Sequence, residues 1–490
     1  MHPTRKYIRT FLLIVLPTVF CLQAQEEDSL RRYLSFAAGN NPSVKAAYLA
    51  YEASLRKLPQ AGAYADPTLE MGAFLSPVEF AEGRQVAQFQ LMQMFPWFGT
   101  RKAARTEAQH MANMSFEAFR EARDNVFMEV YAQWYALCAL KQQLFHSEIN
   151  LRQMEQIERL ALRKYTSASG NRKSAYPAAN ANTSSAQPVP SAAGMNMGGA
   201  GSAMPAASAT TPMQQMEGGM QEMGGGTQGM VEVLRVQLEK LALENRIENL
   251  RAEISAGEAL FNTLLNRPAE SPVALPDTLI RIPFRPDADA ILQEIKERNP
   301  MLGMLREESL VYAAKAEMDR KMGYPMLGIG LQYMLMTPLK NTPAGTMNNT
   351  ESAMSSMNGK DMLMPMLSVS IPLYRNKYKA AQKESLLMRQ AGEMKQTDAF
   401  NRLEAELHQA LYRLNEAARR IDLFRQQAEL VRSAENLVTQ EFVSGRAGLD
   451  GVIQIQQQGL DYRLKEAEAI AAYNTTVATI GKMISFITIE

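Results

Sequence analysis

The sequence predicts a mainly α-helical protein with a transmembrane β portion, built from one structural unit that occurs twice. Three observations support this prediction. Proline-containing landmarks recur at matching intervals in the two halves of the 490-residue chain. Long segments place apolar residues at heptad spacing, and short segments alternate between apolar and small or polar residues. Each half is therefore expected to contain a hairpin of strands and long coiled-coil helices.

The N terminus has the pattern of a secretory signal. Several basic residues precede the apolar run TFLLIVLPTVF, and the small residue Ala24 offers a cleavage point, which predicts a signal peptide at residues 1–24. A lipid anchor on Cys21 is the alternative, although Phe20 stands where lipoprotein signals usually keep a small residue. After cleavage Cys138 is the only cysteine, and so packing rather than disulfide bonds has to stabilise the chain.

The charge and hydropathy of the chain argue against two classes of protein. Its 52 basic and 51 acidic residues leave neither the basic surface typical of nucleic-acid binding nor an acidic tail. After the signal, no stretch reaches the roughly 18 uninterrupted apolar residues that a membrane-spanning helix requires. If the exported chain meets a membrane, we expect strands to make the contact.

Matched prolines define the repeat. The dipeptide NP occurs once in each half, and in both halves the next landmark proline follows 25 residues later. A closing motif comes next, FPWFGTRKAA in the first half and IPLYRNKYKA in the second. The landmark prolines are Pro42, Pro67 and Pro96, matched by Pro300, Pro325 and Pro372. We predict a first repeat at residues 25–267, a linker at 268–284 and a second repeat at 285–490.

Long helices are predicted after each closing motif, at about 98–165 and 376–442, and shorter ones at about 231–265 and 452–486. In the second half, apolar residues step strictly by three and four, the seam of a left-handed coiled coil. This seam comprises Phe400, Leu403, Leu407, Ala410, Leu414, Ala417, Ile421, Phe424, Ala428 and Val431. The first half repeats the spacing at Phe127, Val130, Trp134, Leu137 and Leu144, with Lys141 interrupting it. Nearly seventy helical residues make a rod on the order of 100 Å long.

Alternating segments between the paired prolines predict strands, at about 67–95 and 325–374. The segment MLGIGLQYMLM places its branched and aromatic residues on one face, and MLSVSIPL, TLEMGAF and AQFQLMQMF repeat the pattern. The clearest apolar face comprises Leu327, Ile329, Leu331, Tyr333 and Leu335. Strands of about ten residues with one apolar face suit a lipid-facing barrel with a wet lumen. Since four strands cannot close a barrel, closure requires several copies of the chain.

These features resemble the outer-membrane factor family, the TolC-like channels, over about residues 28–486. The resemblance is carried by the duplicated NP, the two closing motifs, and the helix break EFVSGRAGLDGVIQIQQQGLDYRLKEAEA with its counterpart TQGMVEVLRVQLEKLALEN. It implies a homotrimer whose twelve-stranded barrel lies in the outer membrane and continues into an α-helical periplasmic tunnel. It also implies two partners, a periplasmic adaptor (membrane fusion protein) and an inner-membrane RND-type pump. The adaptor-facing tips are expected near 165–233 and 442–452.

Motifs of catalysis are missing from the sequence, which predicts a passive conduit rather than an enzyme and no cofactor. The histidines are scattered, at His2, His110, His146 and His408, and zinc-protease, Cys-x-x-Cys, nucleophile-elbow and phosphate-loop patterns do not occur. One acid is singled out. Asp450 lies beside Gly448 and Gly451 at the second break, where the resembling family narrows its entrance, and three copies would form a cation-selecting ring. The alternative is that Asp450 caps the following helix.

Methionine is concentrated where the two halves fail to match, in a predicted disordered insertion at about 166–228 and a loop at 337–361. Thioethers suit Cu(I), and by extension Ag(I), and need no deprotonation to bind. The candidate ligands in the insertion are Met195, Met197, Met204, Met213, Met216, Met220 and Met223. The loop, expected at the extracellular mouth, contains Met347, Met354 and Met357 and is flanked by Met334, Met336, Met362, Met364 and Met366.

The sequence therefore predicts the outer-membrane channel subunit of a tripartite efflux system, located in the outer membrane with a periplasmic extension. Cu(I) or Ag(I) is the favoured cargo, in keeping with the CusC-like copper and silver branch of the resembling family. Multidrug or general small-molecule efflux is the alternative cargo, with the insertion as a tolerated loop. A different class is also open, a soluble periplasmic coiled-coil scaffold or a periplasmic copper-binding protein.

Overall fold

The computed structural model describes residues 30–80, 83–170, 227–338, 359–444 and 446–486. This part of the chain is mostly helical and contains one four-stranded antiparallel sheet, which confirms the predicted fold class at that level.

Several predicted features lie outside the described residues. They are the signal peptide at residues 1–24 with Cys21, the seven candidate ligands of the insertion, and the loop methionines. The candidate ligands concerned are Met195, Met197, Met204, Met213, Met216, Met220 and Met223, and the loop methionines are Met347, Met354 and Met357. The signal peptide and the metal-binding role of these methionines therefore stay predictions from the sequence.

In the first half, two helices precede a strand pair and two long helices follow it. The elements are α1 (residues 30–40), α2 (Pro42–Ala61), β1 (Thr68–Phe80), β2 (Gly83–Phe95), α3 (Thr100–Gly170) and α4 (Thr227–Leu264). Residues 166–170 and 227–228 are helical, so the insertion was predicted too wide. Extending an existing helix by a turn costs far less than nucleating one, and the small residues there do not prevent it.

The second half repeats the same order of elements. They are α5 (Ala288–Arg298), α6 (Pro300–Met322), β3 (Met326–Thr337), β4 (Met362–Ser370), α7 (Arg375–Val443) and α8 (Leu449–Met483). The two long helices α3 and α7 have 71 and 69 residues. The structural order thus follows the duplication that the prolines mark.

The chain divides into two compact units. The sheet unit comprises the described residues within 1–143, 251–425 and 464–490, and it contains all four strands. The break unit comprises those within 144–250 and 426–463, and it contains the points where α3 and α7 end.

The coiled-coil seam of α7 is covered as predicted. Every seam residue from Phe400 to Val431 is buried or half-buried. In the sheet unit, Leu407 and Leu414 share a core with Tyr473 and Ile480 of α8. Strict heptad spacing keeps these side chains on one face of a long helix, and burying that face against α8 stabilises both.

The first-half seam packs in the same way but is interrupted at Lys141. Val130 and Leu137 of α3 lie in a core with Phe261 of α4. A side chain at Gly257 would place its Cβ 2.7 Å from the Leu137 side chain, and so this glycine permits the close approach of the two helices. Lys141 instead donates to the backbone carbonyls of the linker between the repeats.

The linker has no regular secondary structure, and buried amide side chains hold it in place. The Nδ2 of Asn262 donates to the carbonyls of Ala269 and Ser271, both at 2.8 Å. Asn474 accepts from the Ile282 N–H at 3.0 Å and donates to the Ile280 carbonyl at 2.8 Å. Because both side chains are buried, these hydrogen bonds replace the water that an irregular backbone otherwise requires.

The NP dipeptide performs the same structural task in both halves. Asn41 caps α2, and its Nδ2 donates to the Leu264 carbonyl at the end of α4, 2.8 Å away. Asn299 caps α6, and its Nδ2 donates to the Met483 carbonyl at the end of α8, 2.9 Å away. The asparagine thus supplies an N-cap acceptor and satisfies an orphan carbonyl of another helix, while proline suits the first helical position.

We predict that Asn299→Ala destabilises the sheet unit by about 1–3 kcal/mol, because it leaves buried backbone groups of both α6 and α8 unsatisfied. Urea unfolding followed by circular dichroism measures the loss. Asn299→Ser is the matched control, since serine retains the N-cap acceptor but is too short to reach Met483, and its loss should be intermediate. Wild-type stability of the alanine variant would contradict this role.

Candidate functional site

The four strands form one sheet in the order β1-β2-β3-β4, antiparallel throughout. Both predicted hairpins are present, and β2 pairs with β3, which joins the two halves of the chain. Leu331 of β3 lies opposite Leu91 of β2 and Pro365 of β4. Within the described chain, β1 and β4 each have one strand neighbour, and so the sheet has two open edges.

One face of this sheet is aliphatic and exposed. Ile329 is 61% exposed and Leu367 is 74% exposed, although both lie within strands of a paired sheet. The exposed apolar residues of this aliphatic face are Leu69, Met71, Phe89, Leu91, Leu327, Ile329, Leu331, Tyr333, Leu335, Leu363, Leu367 and Val369. A soluble antiparallel sheet normally packs its apolar face on a core and exposes the other. A continuous apolar face that the chain itself leaves exposed indicates that lipid or another protein surface covers it.

The opposite face carries small and polar residues. The Nε2 of Gln332 on β3 donates to the Oε1 of Gln88 on β2 at 3.4 Å, and Gln85 donates to the same oxygen at 3.2 Å. Gly328 and Gly330 are buried among their cross-strand neighbours. The alternation predicted from MLGIGLQYMLM is therefore present, with the aliphatic side outward.

Gln93 is a polar residue on the aliphatic face, paired with Ile329. It lies near the end of β2, and its Nε2 donates to the carbonyl of Ala65 at 2.6 Å. The Gln93 amide therefore satisfies a backbone carbonyl of the segment before β1.

Aromatic side chains gather at the strand ends that adjoin the long helices. Trp97 stacks on Tyr324 with ring centroids 5.4 Å apart, and Tyr64 packs edge-on against Phe95 at 5.5 Å. The guanidinium of Arg101 lies 3.4 Å from the Tyr64 ring centroid. Aromatic girdles at both interfaces are a property of membrane barrels. This cluster was not predicted from the sequence, although the aromatic residues beside the landmark prolines were a signal for it.

Asp450, the candidate gate residue, lies in the first turn of α8. The helix begins at Leu449, so the alternative that Asp450 is the N-cap of a helix near Val452 is wrong. The glycines around it left the start of the helix ambiguous in the sequence. The carboxylate is 67% exposed and forms an ion pair with Arg235 of α4. Sequence reasoning missed Arg235, because nothing local links residues that are 215 positions apart.

The break unit also contains a buried carboxyl group. Glu435 of α7 is buried, and its Oε2 lies 4.0 Å from a guanidinium nitrogen of Arg463. Burial raises the pKa of Glu435, and the charges of Arg463 and Arg432 offset only part of that rise.

We predict that Glu435→Gln removes a pH dependence from the break unit. Because the folded-state pKa is raised, the carboxyl contributes stability that is fully present below its ordinary pKa and is lost as pH rises through the folded-state value. Glu435→Gln should therefore be more stable than the wild-type protein at neutral and alkaline pH. Hydrogen exchange around residue 435, compared with wild type at about pH 5 and about pH 8, measures this. The exposed Glu441→Gln on the same helix is the control, and equal responses of both variants would contradict the prediction.

The described residues contain no group of three or more His, Cys, Asp or Glu side chains placed to hold a metal ion. Among the same residues, no helix is long and apolar enough to cross a membrane.

The described elements, a duplicated set of long helices with a four-stranded sheet, share their fold with solved structures of outer-membrane channels. This confirms, in fold, the resemblance to the outer-membrane factor family. The chain is similar to the outer-membrane channel OprN, with a TM-score of 0.65 and 10% identity over 94% of this chain and 90% of that one. It is also similar to the outer membrane protein VceC from Vibrio cholerae, with a TM-score of 0.63 and 11% identity over 93% of this chain and 96% of that one.

A third similar structure is that of CusC, with a TM-score of 0.61 and 12% identity over 93% of this chain and 92% of that one. The values for CusC resemble those for the other channels, and so the likeness does not single out the CusC-like branch. No family model matches the sequence, and no curated protein matches it.

Proposed function

We propose that this protein is the channel subunit of an outer-membrane efflux system, a passive conduit from the periplasm to the exterior. The observation that carries the proposal is the aliphatic face, exposed on a sheet with two open edges in a chain with the fold of outer-membrane channels. A scaffold that remains in water has no reason to expose this face, whereas a barrel in lipid requires it.

The open edges support a homotrimer. Four strands are too few to enclose a lumen, and pairing β4 of one chain with β1 of the next would close three chains into a twelve-stranded barrel without free edges. The barrel would lie in the outer membrane and the long helices would form a periplasmic tunnel. A periplasmic adaptor and an inner-membrane RND-type pump complete the assembly that we propose.

The proposal is tested with the full-length protein. Extraction from the outer-membrane fraction should require detergent, native mass spectrometry should show trimers, and planar bilayers should show stable single-channel conductance. Release as a monomer into detergent-free buffer would instead support the soluble scaffold.

We favour Cu(I) or Ag(I) as cargo over drugs, on the strength of the methionine-rich insertion at about residues 166–228 and the softness of thioether ligands. A strain lacking the protein should become sensitive to copper and silver and regain resistance with the wild-type gene. Replacing the insertion methionines with serine should then lower metal resistance alone. Drug sensitivity with unchanged metal resistance would support multidrug efflux.

We further expect Asp450 to contribute to ion selectivity. Three copies around an axis would concentrate negative charge, and so Asp450→Asn should reduce the preference of the channel for cations, measured as a reversal potential in a salt gradient. Its effect on stability should stay within about 1 kcal/mol, because the pair with Arg235 is exposed. Asp422→Asn, an exposed carboxylate of α7, is the control with the same change of charge. Equal shifts in both variants would contradict a specific role.

A further inference from the structure

The strands place their methionines on one face of the sheet. Cross-strand pairing aligns Met92 with Gly330 and Met366 in one row, and Met334 with Met362 in another. The residues of this methionine face are Met92, Met94, Met326, Met334, Met336, Met362, Met364 and Met366. Among the methionines of the described strands, Met71 is the only one on the aliphatic face. The sequence showed the enrichment, but only the register shows that the thioethers share a side.

This segregation is not explained by a need for apolar bulk. The aliphatic face uses mainly leucine, isoleucine, valine and aromatic residues, whereas the methionine face also carries polar and small residues, among them Gln88, Gln90, Gln332 and Ser368. Methionine that fills gaps in a core is expected among apolar neighbours and away from solvent. Here Met364 is exposed and stands in the same row as two glutamines.

Two of the sulfurs converge on one hydroxyl group. The Sδ atoms of Met92 and Met94 lie 3.7 Å and 3.6 Å from the Oγ of Ser368. Gly328 makes room for this arrangement, since a Cβ there would come within 2.6 Å of the Met94 sulfur. At Gly330, a Cβ would lie 3.6 Å from the Cβ of Met366, which pairs with this glycine across the strands. Three methionines therefore flank a pair of glycines, and the sulfurs of two of them, Met92 and Met94, lie beside the Ser368 hydroxyl group.

We propose that the methionine face binds Cu(I) or Ag(I), with a site centred on Met92, Met94 and Met366. The inference rests on the proposed function, because the methionine face lines the lumen only if the aliphatic face meets lipid. Thioethers are soft, neutral ligands that select monovalent copper and silver and do not depend on pH. Further sulfurs at Met334, Met362 and Met364 offer successive weak contacts along the strands, and conduction requires sites that are weak and multiple.

The test measures Ag⁺ binding to the full-length trimer in detergent and nitrate buffer, by calorimetry and by metal analysis after desalting. All proteins carry serine at the seven insertion methionines, which removes that source of thioethers. In this background, Met92→Leu, Met94→Leu and Met366→Leu are combined. We expect Ag⁺ affinity to fall at least about tenfold, since even the loss of a group that supports a metal ligand typically costs that much.

The matched control combines Met322→Leu, Met388→Leu and Met394→Leu, three exposed helical methionines, and should bind Ag⁺ like its parent. Equal affinity of the two triple variants would overturn the inference. Met366→Leu alone replaces the triple variant if the latter does not form trimers. Conductance measured without Ag⁺ separates the metal site from the proposed channel. If the triple variant conducts normally and binds Ag⁺ like its parent, the metal site is contradicted and the channel is not. If the parent protein does not conduct at all, the channel is contradicted, whatever its Ag⁺ affinity.

Discussion

Leu331→Arg is expected to prevent assembly of the protein in the outer membrane. Leu331 lies near the middle of β3 on the aliphatic face, between Leu91 and Pro365. An arginine facing lipid at the bilayer midplane costs about 2–4 kcal/mol, and a trimer carries three of them. In a soluble scaffold the same exposed site would tolerate arginine within about 0.5 kcal/mol. The prediction therefore separates the two classes of protein that the sequence left open.

The neighbouring Gln332→Arg is the matched control, because it adds the same side chain to the same strand on the opposite face. We expect it to assemble normally and to alter conductance, since residues of a wet lumen tolerate charge. Outer-membrane fractions examined on unheated gels show trimers directly. Normal trimers with Leu331→Arg would contradict the membrane assignment of this face.

Leu407→Ala should produce the largest loss of stability among single truncations in the α7 seam. Leu407 is completely buried in the core shared by α7 and α8. Removing most of a buried leucine side chain costs about 2–5 kcal/mol, because transferred apolar surface is lost and a cavity remains. Urea unfolding of the detergent-solubilised protein, followed by circular dichroism, measures the change.

The control for this experiment is Glu406→Ala, the adjacent exposed residue of the same helix. It should change stability by no more than about 0.5 kcal/mol. If Leu407→Ala unfolded at the wild-type urea concentration, the seam would not be the stabilising contact that its spacing predicts.

Local patterns account for the part of the fold that was predicted correctly. Heptad spacing requires a helix with one buried face, and alternation requires a strand with two unlike faces, so α7, β3 and their counterparts could be placed from the sequence. Pairs of alternating segments between the landmark prolines of each half predicted the hairpins β1–β2 and β3–β4. The helix ends at Gly170 and Thr227 were predicted a few residues away, because small residues stop a helix only weakly.

Contacts between distant residues could not be predicted in this way. The pairing of β2 with β3, the ion pair of Asp450 with Arg235, and the bond from Asn299 to the end of α8 join residues without any shared local pattern. The NP dipeptide was visible as a landmark, but its task depends on which helix end lies next to it.

Spacing along one chain was enough to predict the duplication, the element types and the two unlike faces of each strand. Strand pairing was needed to show that the aliphatic face is exposed, that the two hairpins join into one open sheet, and that Met92, Met94 and Met366 lie on the same side. The physical reason is register: a shift of one residue between paired strands moves every side chain to the other face, and that choice is made by long-range pairing.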